Sequence, residues 1–504
     1  MQILGTIITT EETPSTTEFS FVISGKDTTV KKGQFIQTIT KSNENMFGFV
    51  HEIFRANRYF ERAESVAEYE RIADMEKNFP IDSWEHMIAN VRVLGNYKDG
   101  KFTRTFVPPS PGAKILNADE EVLKKFLGFE DSGMFIGNIQ HHETPARLSM
   151  TRLLQKHFAI LAMSGAGKSH LASVLIEELL ERKQEDGRIA TIVIDIHGEY
   201  VGFQYDEKYG KNVQVIEGED IKIPLRKINP EIFEEWLPNL SGPQRELLRQ
   251  SLHDLRTTAD KKEGYGLKEL FAQIEKNEGT RDETKKTLLR ALGEMRRYKF
   301  ISKNKELPKL RLTEPGKLII FDFSSIDSLR KKQMIVAYIG RRLFSLRKKL
   351  EIPPFLLLIE EAHNFAREKA EAQDAISRSI IETIAREGRK FGASLCLVSQ
   401  RPVNLSTTAL SQCNTHIILR VTNPNDLMHI EMSSEGIDSR ISKSIAGLKT
   451  GEGIIVGEAV NYPVFVNIRQ RKSVKREKGL PLHEQAKQFE EAKKKKEEQV
   501  EAFL

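Results

Sequence analysis

The stretch from His157 to His170 reads His-Phe-Ala-Ile-Leu-Ala-Met-Ser-Gly-Ala-Gly-Lys-Ser-His, and it limits the possible folds more than any other part of the chain. Its first half is a short apolar run of the kind that makes a buried strand. Ser164, Gly165, Ala166 and Gly167 follow as a tight small-residue turn, and Lys168-Ser169 opens an apolar helix over Leu171 to Leu180. Strand, small-residue loop and helix in this order make a P-loop, whose successive backbone N–H groups wrap the phosphates of a nucleotide. Lys168 is then the ammonium that reaches the β- and γ-phosphates, and the Ser169 hydroxyl is placed to ligate Mg²⁺. The pattern ordinarily begins with glycine where this chain has Ala162. Alanine is small enough to keep the turn.

Four further blocks carry chemistry. In Phe355-Leu356-Leu357-Leu358-Ile359-Glu360-Glu361-Ala362-His363 an apolar strand ends in adjacent carboxylates. Glu360 is assigned to the water shell of Mg²⁺ and Glu361 to the base that polarises an attacking water. Ser399-Gln400-Arg401-Pro402 ends another apolar strand, where the Gln400 amide can sit between a γ-phosphate and that water. Ala385-Arg386-Glu387-Gly388-Arg389-Lys390-Phe391-Gly392 follows a helix predicted over Glu371 to Ile384 and makes a cationic corner. Such a corner either supports a helix end or projects Arg386 or Arg389 at a phosphate held by a neighbouring subunit, and the sequence leaves both open. Asp195-Ile196-His197-Gly198-Glu199-Tyr200 closes a strand whose carboxyl end faces the same crevice as the P-loop. Asp195 is expected in the Mg²⁺ network, and a lone His197 is expected to be structural.

The rest of the pattern sets the frame. Short apolar runs at Gln2 to Thr9, Glu18 to Ile23, Gly33 to Thr38, Met46 to Ile53 and Ile88 to Leu94 predict a small antiparallel β-barrel over 1–140, interrupted by a helix-like stretch at Glu61 to Glu76. Apolar β-branched runs at Thr191 to Ile196, Lys317 to Phe323, Phe355 to Ile359, Ser394 to Ser399, His416 to Val421 and Gly453 to Gly457 predict a mostly parallel, covered sheet. Between 228 and 305 the apolar period becomes helical, at Ile232 to Leu237, Gln244 to Leu255, Leu267 to Lys276 and Thr284 to Tyr298. The fold class is therefore α/β: a RecA-like P-loop ATPase core in two parts, 141–227 and 306–470, with an N-terminal β-barrel, a helical insertion at 228–305 and a charged tail at 471–504, read as a solvated helix or a segment packing on a neighbour. With 77 basic and 71 acidic residues the net charge of +6 says little about partners. Cys396 and Cys413 lack metal-ligand spacing and suit a reducing cytosol. No signal-like start and no apolar run near the roughly 18–20 residues of a membrane span is present, so a cytoplasmic protein without a membrane segment is expected.

In this order the five blocks resemble the HerA family of the HerA/FtsK superfamily of DNA-pumping ATPases, and the similarity runs over most of the chain. The resemblance implies an archaeal, hexameric, ATP- and Mg²⁺-dependent translocase that encircles double-stranded DNA and works with a NurA-type nuclease in resecting broken ends. It also implies that Gly165 to Ser169 and His170 hold phosphates, Glu361 activates water, Gln400 senses the γ-phosphate and Arg389, with Arg386 as runner-up, acts in trans. Lys156, where relatives commonly carry arginine, and Asn467 and Ile468 in the last strand become nucleotide contacts by the same comparison. Arg330, Lys331 and Lys332 are a candidate DNA-contacting cluster, with a solvated helix start the equal alternative. Two other functions remain open: a coupling ATPase for conjugation or secretion, and a nucleotide-gated scaffold.

Overall fold

The computed structural model describes residues 2–475 apart from 11–12, 26–28, 58–59, 61–84, 99–100, 259–263, 372–373 and 435, together with 483–484, 486–487 and 489–491. The helix expected at Glu61 to Glu76 and most of the tail therefore lie outside the described residues. The chain divides into two compact units, Met1–Leu153 with Asn414–Arg469 and Leu154–Cys413 with Gln470–Leu504.

In the first unit β1 (Ile3–Ile8), β2 (Glu18–Ile23), β3 (Phe35–Ile39), β4 (Asn45–Asn57), β5 (Glu85–Lys98) and β7 (Lys114–Asn117) form a closed antiparallel barrel, and β6 (Lys101–Thr103) extends β5. Closure comes from β2 on β5, in register from Glu18↔Arg92 to Val22↔Ile88. The pairing leaves no open edge among these six strands. Leu4, Ile7, Phe19, Phe21, Val50 and Val91 fill the core. Helix α1 (Glu120–Leu127) starts at Asp119, whose carboxylate accepts the Val122 N–H, and stops at Gly128 in the left-handed region. Across the expected boundary at 140–141, β8 (Met134–Ile139) and β9 (Pro145–Leu148) form a hairpin.

The second unit is built on six parallel strands. In chain order they are β10 (Phe158–Leu161), β11 (Ala190–Asp195), β12 (Val213–Glu217), β13 (Leu318–Asp322), β14 (Phe355–Ile359) and β15 (Ala393–Ser399); in space they run β12-β13-β11-β14-β15-β10. Strands β10, β11, β13, β14 and β15 are buried throughout, which explains their unbroken apolar runs. The P-loop helix α2 (Lys168–Glu181) follows β10. The insertion holds α3 (Pro230–Trp236), α4 (Gly242–Thr258), α5 (Leu267–Lys276) and α6 (Asp282–Arg297), each over an expected helical run. Its packing follows the period: Leu288, Leu292 and Met295 are buried on one face of α6, and Trp236 packs edge-on against Phe233 and Phe300.

Helix α7 (Leu329–Lys348) begins at Ser328, whose Oγ accepts the Lys331 N–H. It corrects the reading of Arg330, Lys331 and Lys332 as a DNA-facing cluster. Lys331 is buried with Nζ 2.9 Å from Glu219, Arg330 donates to the Trp236 carbonyl at 3.3 Å, and Lys332 is part-buried. Arg330 and Lys331 are thus occupied inside the fold. Helix α8 (Arg378–Glu387) corrects another boundary, since the sequence begins it at Glu371. Gln333 Nε2 donates to the carbonyls of Asn364 and Asp374, and Ser377 Oγ donates to that of Phe365, so the chain ahead of Arg378 is held as loop.

Strand β16 (Thr415–Ile418), α9 (Pro424–Ser433), α10 (Ser439–Ala446), β17 (Glu452–Gly457) and β18 (Val464–Ile468) return the chain to the first unit. The sequence reading places this stretch in the second part of the core. The grouping follows from β18, which pairs antiparallel with β8, and from the 2.9 Å ion pair between Arg92 of the barrel and Asp438. Gly137 permits that pairing: a Cβ there would stand 1.9 Å from the Asn467 carbonyl oxygen.

His157 opens β10 at a positive φ of 58° and is buried, its Nδ1 accepting the Leu395 N–H at 3.0 Å. Burial lowers its pKa from 6.5 to about 4. Above pH 6.5 the imidazole is neutral in folded and unfolded chain alike. Between pH 6.5 and 4 the unfolded chain takes up the proton and the folded one does not, so stability falls as pH falls, by at most about 1.4 kcal/mol per pH unit. His157→Asn keeps an acceptor and tolerates the left-handed backbone. Its unfolding temperature is expected to drop less than that of the wild type between pH 6.5 and 4.5, as thermal scans over that range will measure.

Candidate nucleotide site at the carboxyl edge of the sheet

The register of the parallel strands builds the site. Leu161 lies opposite Ser399 and Ile359 opposite Leu397, so the residues that follow β10, β14 and β15 emerge at one edge. The Ala162 N–H continues the ladder to the Ser399 carbonyl at 3.2 Å. Ala162 keeps a negative φ, so this position has no conformational need for glycine, whereas Gly165 and Gly167 have φ of 77° and 106°. Helix α2 begins beyond Gly167 with no side-chain cap. Its first N–H groups are therefore left for a ligand, at the end where the helix dipole favours an anion.

A cavity of about 930 Å³ opens over this helix end and is lined by the loop from Ser164 to His170, except the buried Ala166, and by Glu360, Glu361 and Gln400. Lys168 is buried in it at 8 % exposure. Ser169 Oγ stands 3.5 Å from Glu360 Oε1, and Glu360 Oε2 accepts the Ile196 N–H at 3.2 Å. Burial, with Asp195 as the next cause, pushes the Glu360 carboxyl well above the usual range. Glu361 adopts the left-handed region (φ 47°, ψ 46°), a strained geometry for a residue with a Cβ. Its Oε2 is buried without a hydrogen bond among the described residues, and the Gln400 side chain bonds to the same carboxyl group. Burial raises the Glu361 pKa, and Lys168 opposes the rise.

The uncapped helix end, the buried ammonium and the Ser169–Glu360 pair fit a nucleotide triphosphate with Mg²⁺. Ser169 would be a direct ligand and Glu360 would hold the ion's water shell. Asp195 does not join them. Its carboxylate accepts the N–H groups of His197, Glu199 and Tyr200 at 3.3, 3.0 and 2.9 Å and is fully buried outside the cavity lining. Burial raises its pKa, as it does that of Glu360. The expected metal ligand instead fixes the turn that carries His197 and Glu199 to the cavity wall.

Other expected residues lie elsewhere. Arg386 and Arg389 are exposed and outside the lining. Arg386 is 3.8 Å from Glu382, and Arg389 makes no ion pair among the described residues. Their corner is rigid: at Gly388 a Cβ would meet the Ala393 carbonyl oxygen at 2.3 Å and His157 at 3.2 Å. Lys156, half-buried, precedes His157 and does not line the cavity. Asn467 and Ile468 pair with Asn138 and Gly137 in the first unit and are not part of the lining.

The structure adds Arg471 and Lys475 to the cavity wall, a place that neither alternative for the tail, a solvated helix or a segment packing on a neighbour, gives its first residues. Glu177 is wholly buried in α2, and its Oε1 accepts from Lys472 N, Ser473 N and Ser473 Oγ at 2.8, 2.7 and 2.6 Å. The Val474 N–H donates to Asp206 at 2.9 Å, and the Arg471 guanidinium lies 5.7 Å over the Phe203 ring. The acidic pair Glu177-Glu178 amid the apolar helix Leu171 to Leu180 is the available sequence signal, because a glutamate buried there requires donors.

Six parallel strands, a phosphate-cradling loop and paired acids at the carboxyl edge define a P-loop ATPase of the RecA-like α/β class. Among solved structures, VirB4 of Thermoanaerobacter pseudethanolicus superposes with a TM-score of 0.53 at 16% identity, over 68% of this chain and 98% of that one. The plasmid coupling protein TrwB in complex with a non-hydrolysable ATP analogue gives 0.51 at 14%, over 71% and 94%. At such identities the likeness is one of fold. The profile of the helicase HerA central domain matches residues 134–343. A probable helicase of Methanocaldococcus jannaschii is 29% identical over 474 residues, 87% of this chain and 86% of the relative. The DNA double-strand break repair helicase HerA of Pyrococcus furiosus is 27% identical over 522 residues, 92% of each chain. Over most of its length this chain is thus similar to the helicases of the HerA family.

Glu177→Ala removes the acceptor of three hydrogen bonds and is expected to free residues 471–475 from α2. Charge-assisted bonds contribute about 1.5–3 kcal/mol each. Trypsin cleavage at Arg471 to Lys475 should accelerate, and binding of a fluorescent ATP analogue should weaken several-fold, with Glu177→Gln intermediate in both.

Proposed function

We propose that this chain is an ATP-driven translocase of double-stranded DNA. It works as a homohexameric ring with a NurA-type nuclease at broken DNA ends, in the cytoplasm. The observation that carries hydrolysis is Glu361: a buried carboxylate oxygen without a donor, between Lys168 and Gln400, at the edge of a phosphate cradle. The names of the relatives, helicases of DNA double-strand break repair, support DNA as the substrate.

In this reading the N–H groups at the start of α2 and the Lys168 ammonium hold the β- and γ-phosphates. Gln400 and Glu361 orient a water in line with the γ-phosphorus. As the new P–O bond forms, the bond to the bridging oxygen breaks, ADP departs with that electron pair, and Glu361 takes the water's proton. Bound Mg²⁺ supplies charge neutralisation across the phosphates. Arg389, exposed on a rigid corner outside its own cavity, is assigned to the γ-phosphate of a neighbouring subunit.

Phosphate release should rise with added duplex DNA and fall by about 10²-fold or more in Lys168→Ala and Glu361→Gln. Turnover indifferent to DNA in the assembled ring overturns the translocase reading. Arg389→Ala and Glu361→Gln chains, each inactive alone, should regain activity when mixed, because some interfaces then pair an intact base with an intact arginine. No recovery at any ratio makes the corner purely structural, and the mass of the intact assembly checks the subunit number.

A further inference from the structure

Beyond Glu361 itself, one side chain touches both the proposed base and the strand end that carries the γ-phosphate sensor. His363 Nδ1 lies 3.4 Å from Glu361 Oε2 and 3.2 Å from Ser399 Oγ. Ser399 is fully buried as the last residue of β15, and its Oγ accepts the Arg401 N–H at 3.1 Å, bridging across Gln400. A neutral imidazole has one N–H, and this one stays neutral: burial, then Lys168, Arg401 and Arg367, lowers its pKa to about 4. Nδ1 therefore has two possible roles. With the proton on Nε2, the Ser399 hydroxyl donates to Nδ1 and Glu361 Oε2 is left bare. With the proton on Nδ1, the same nitrogen can turn to Glu361 Oε2 and supply the missing donor.

We propose that His363 is the positioning residue that ties the Glu361 carboxylate to the Ser399-Gln400-Arg401 strand end, its Nδ1–H exchanging between Ser399 Oγ and Glu361 Oε2. The inference rests on the ATPase reading above. Movement of Gln400 onto a γ-phosphate shifts Ser399, and the shift reaches the base through one ring nitrogen. His363 does not line the cavity and has no contact with the phosphates in this arrangement. Its loss should therefore leave binding intact and slow the chemical step.

The test uses the full chain, with ATP turnover at saturating duplex DNA and ATP affinity measured separately. His363→Ala is expected to lower kcat about 10–100-fold and to leave ATP affinity within about threefold of wild type. Asparagine places an amide N–H near the position of Nδ1 and glutamine near that of Nε2. His363→Asn should therefore recover most of kcat and His363→Gln should not. In a Glu361→Gln background, His363→Ala should add no further loss, as required of two groups acting as one unit. Wild-type kcat in His363→Ala overturns the proposal, and so does equal loss in the Asn and Gln variants or loss of ATP affinity in step with kcat. If His363→Ala does not fold, the Asn-against-Gln comparison decides alone. Wild-type turnover in Glu361→Gln brings down the assignment of the base, whereas an inactive Glu361→Gln beside an unimpaired His363→Ala brings down only the role of His363.

Discussion

The hydrogen-bonded ladder that joins β10, β15 and β14 is the constraint from which the site follows. Strands aligned as Leu161↔Ser399 and Ile359↔Leu397 must release Ala162, Gln400 and Glu360 at one level. A slip of one residue in either pairing would reverse every side chain in that strand and carry the acids or the amide away from the phosphate loop. The strands are buried on both faces, so such a slip would also expose apolar surface. Core packing and site geometry thus enforce the same register.

That edge gathers charge that water would otherwise solvate. Lys168, Asp195, Glu360 and Glu361 are all below a tenth exposed. The acids are kept by three means: backbone N–H groups for Asp195, the Ile196 N–H and the Ser169 hydroxyl for Glu360, and the ammonium of Lys168 beside Glu361. Only Glu361 has an oxygen left unserved, and it also has the strained backbone. Strain and an empty lone pair on one residue mark the point where the fold gives up stability for chemistry.

Features carried by local pattern were legible in the sequence. The P-loop, the strand before Glu360, the strand before Gln400 and the four helices of the insertion each depend on a few neighbouring residues. Features carried by distant partners were not. Asp195 has the residue type of a ligand, yet its oxygens are taken by the turn beyond it. Arg330 and Lys331 look like a free basic patch until Trp236 and Glu219 arrive from other parts of the fold. The contribution of Arg471 to the cavity was invisible because its anchor, Glu177, lies almost three hundred residues earlier. The assignment of residues 414–469 to the barrel's unit likewise needed the pairing of β18 with β8.

The anchoring at Glu177 has a mechanical corollary. Residues 472 and 473 are bolted to the middle of the helix whose first turn carries Lys168 and Ser169, and the polypeptide continues beyond them. Traction on that continuation meets Asp206, which holds the Val474 N–H, and then Glu177 on α2, which holds residues 472 and 473. The start of the tail and the residues Lys168 and Ser169 therefore share one helix as their support.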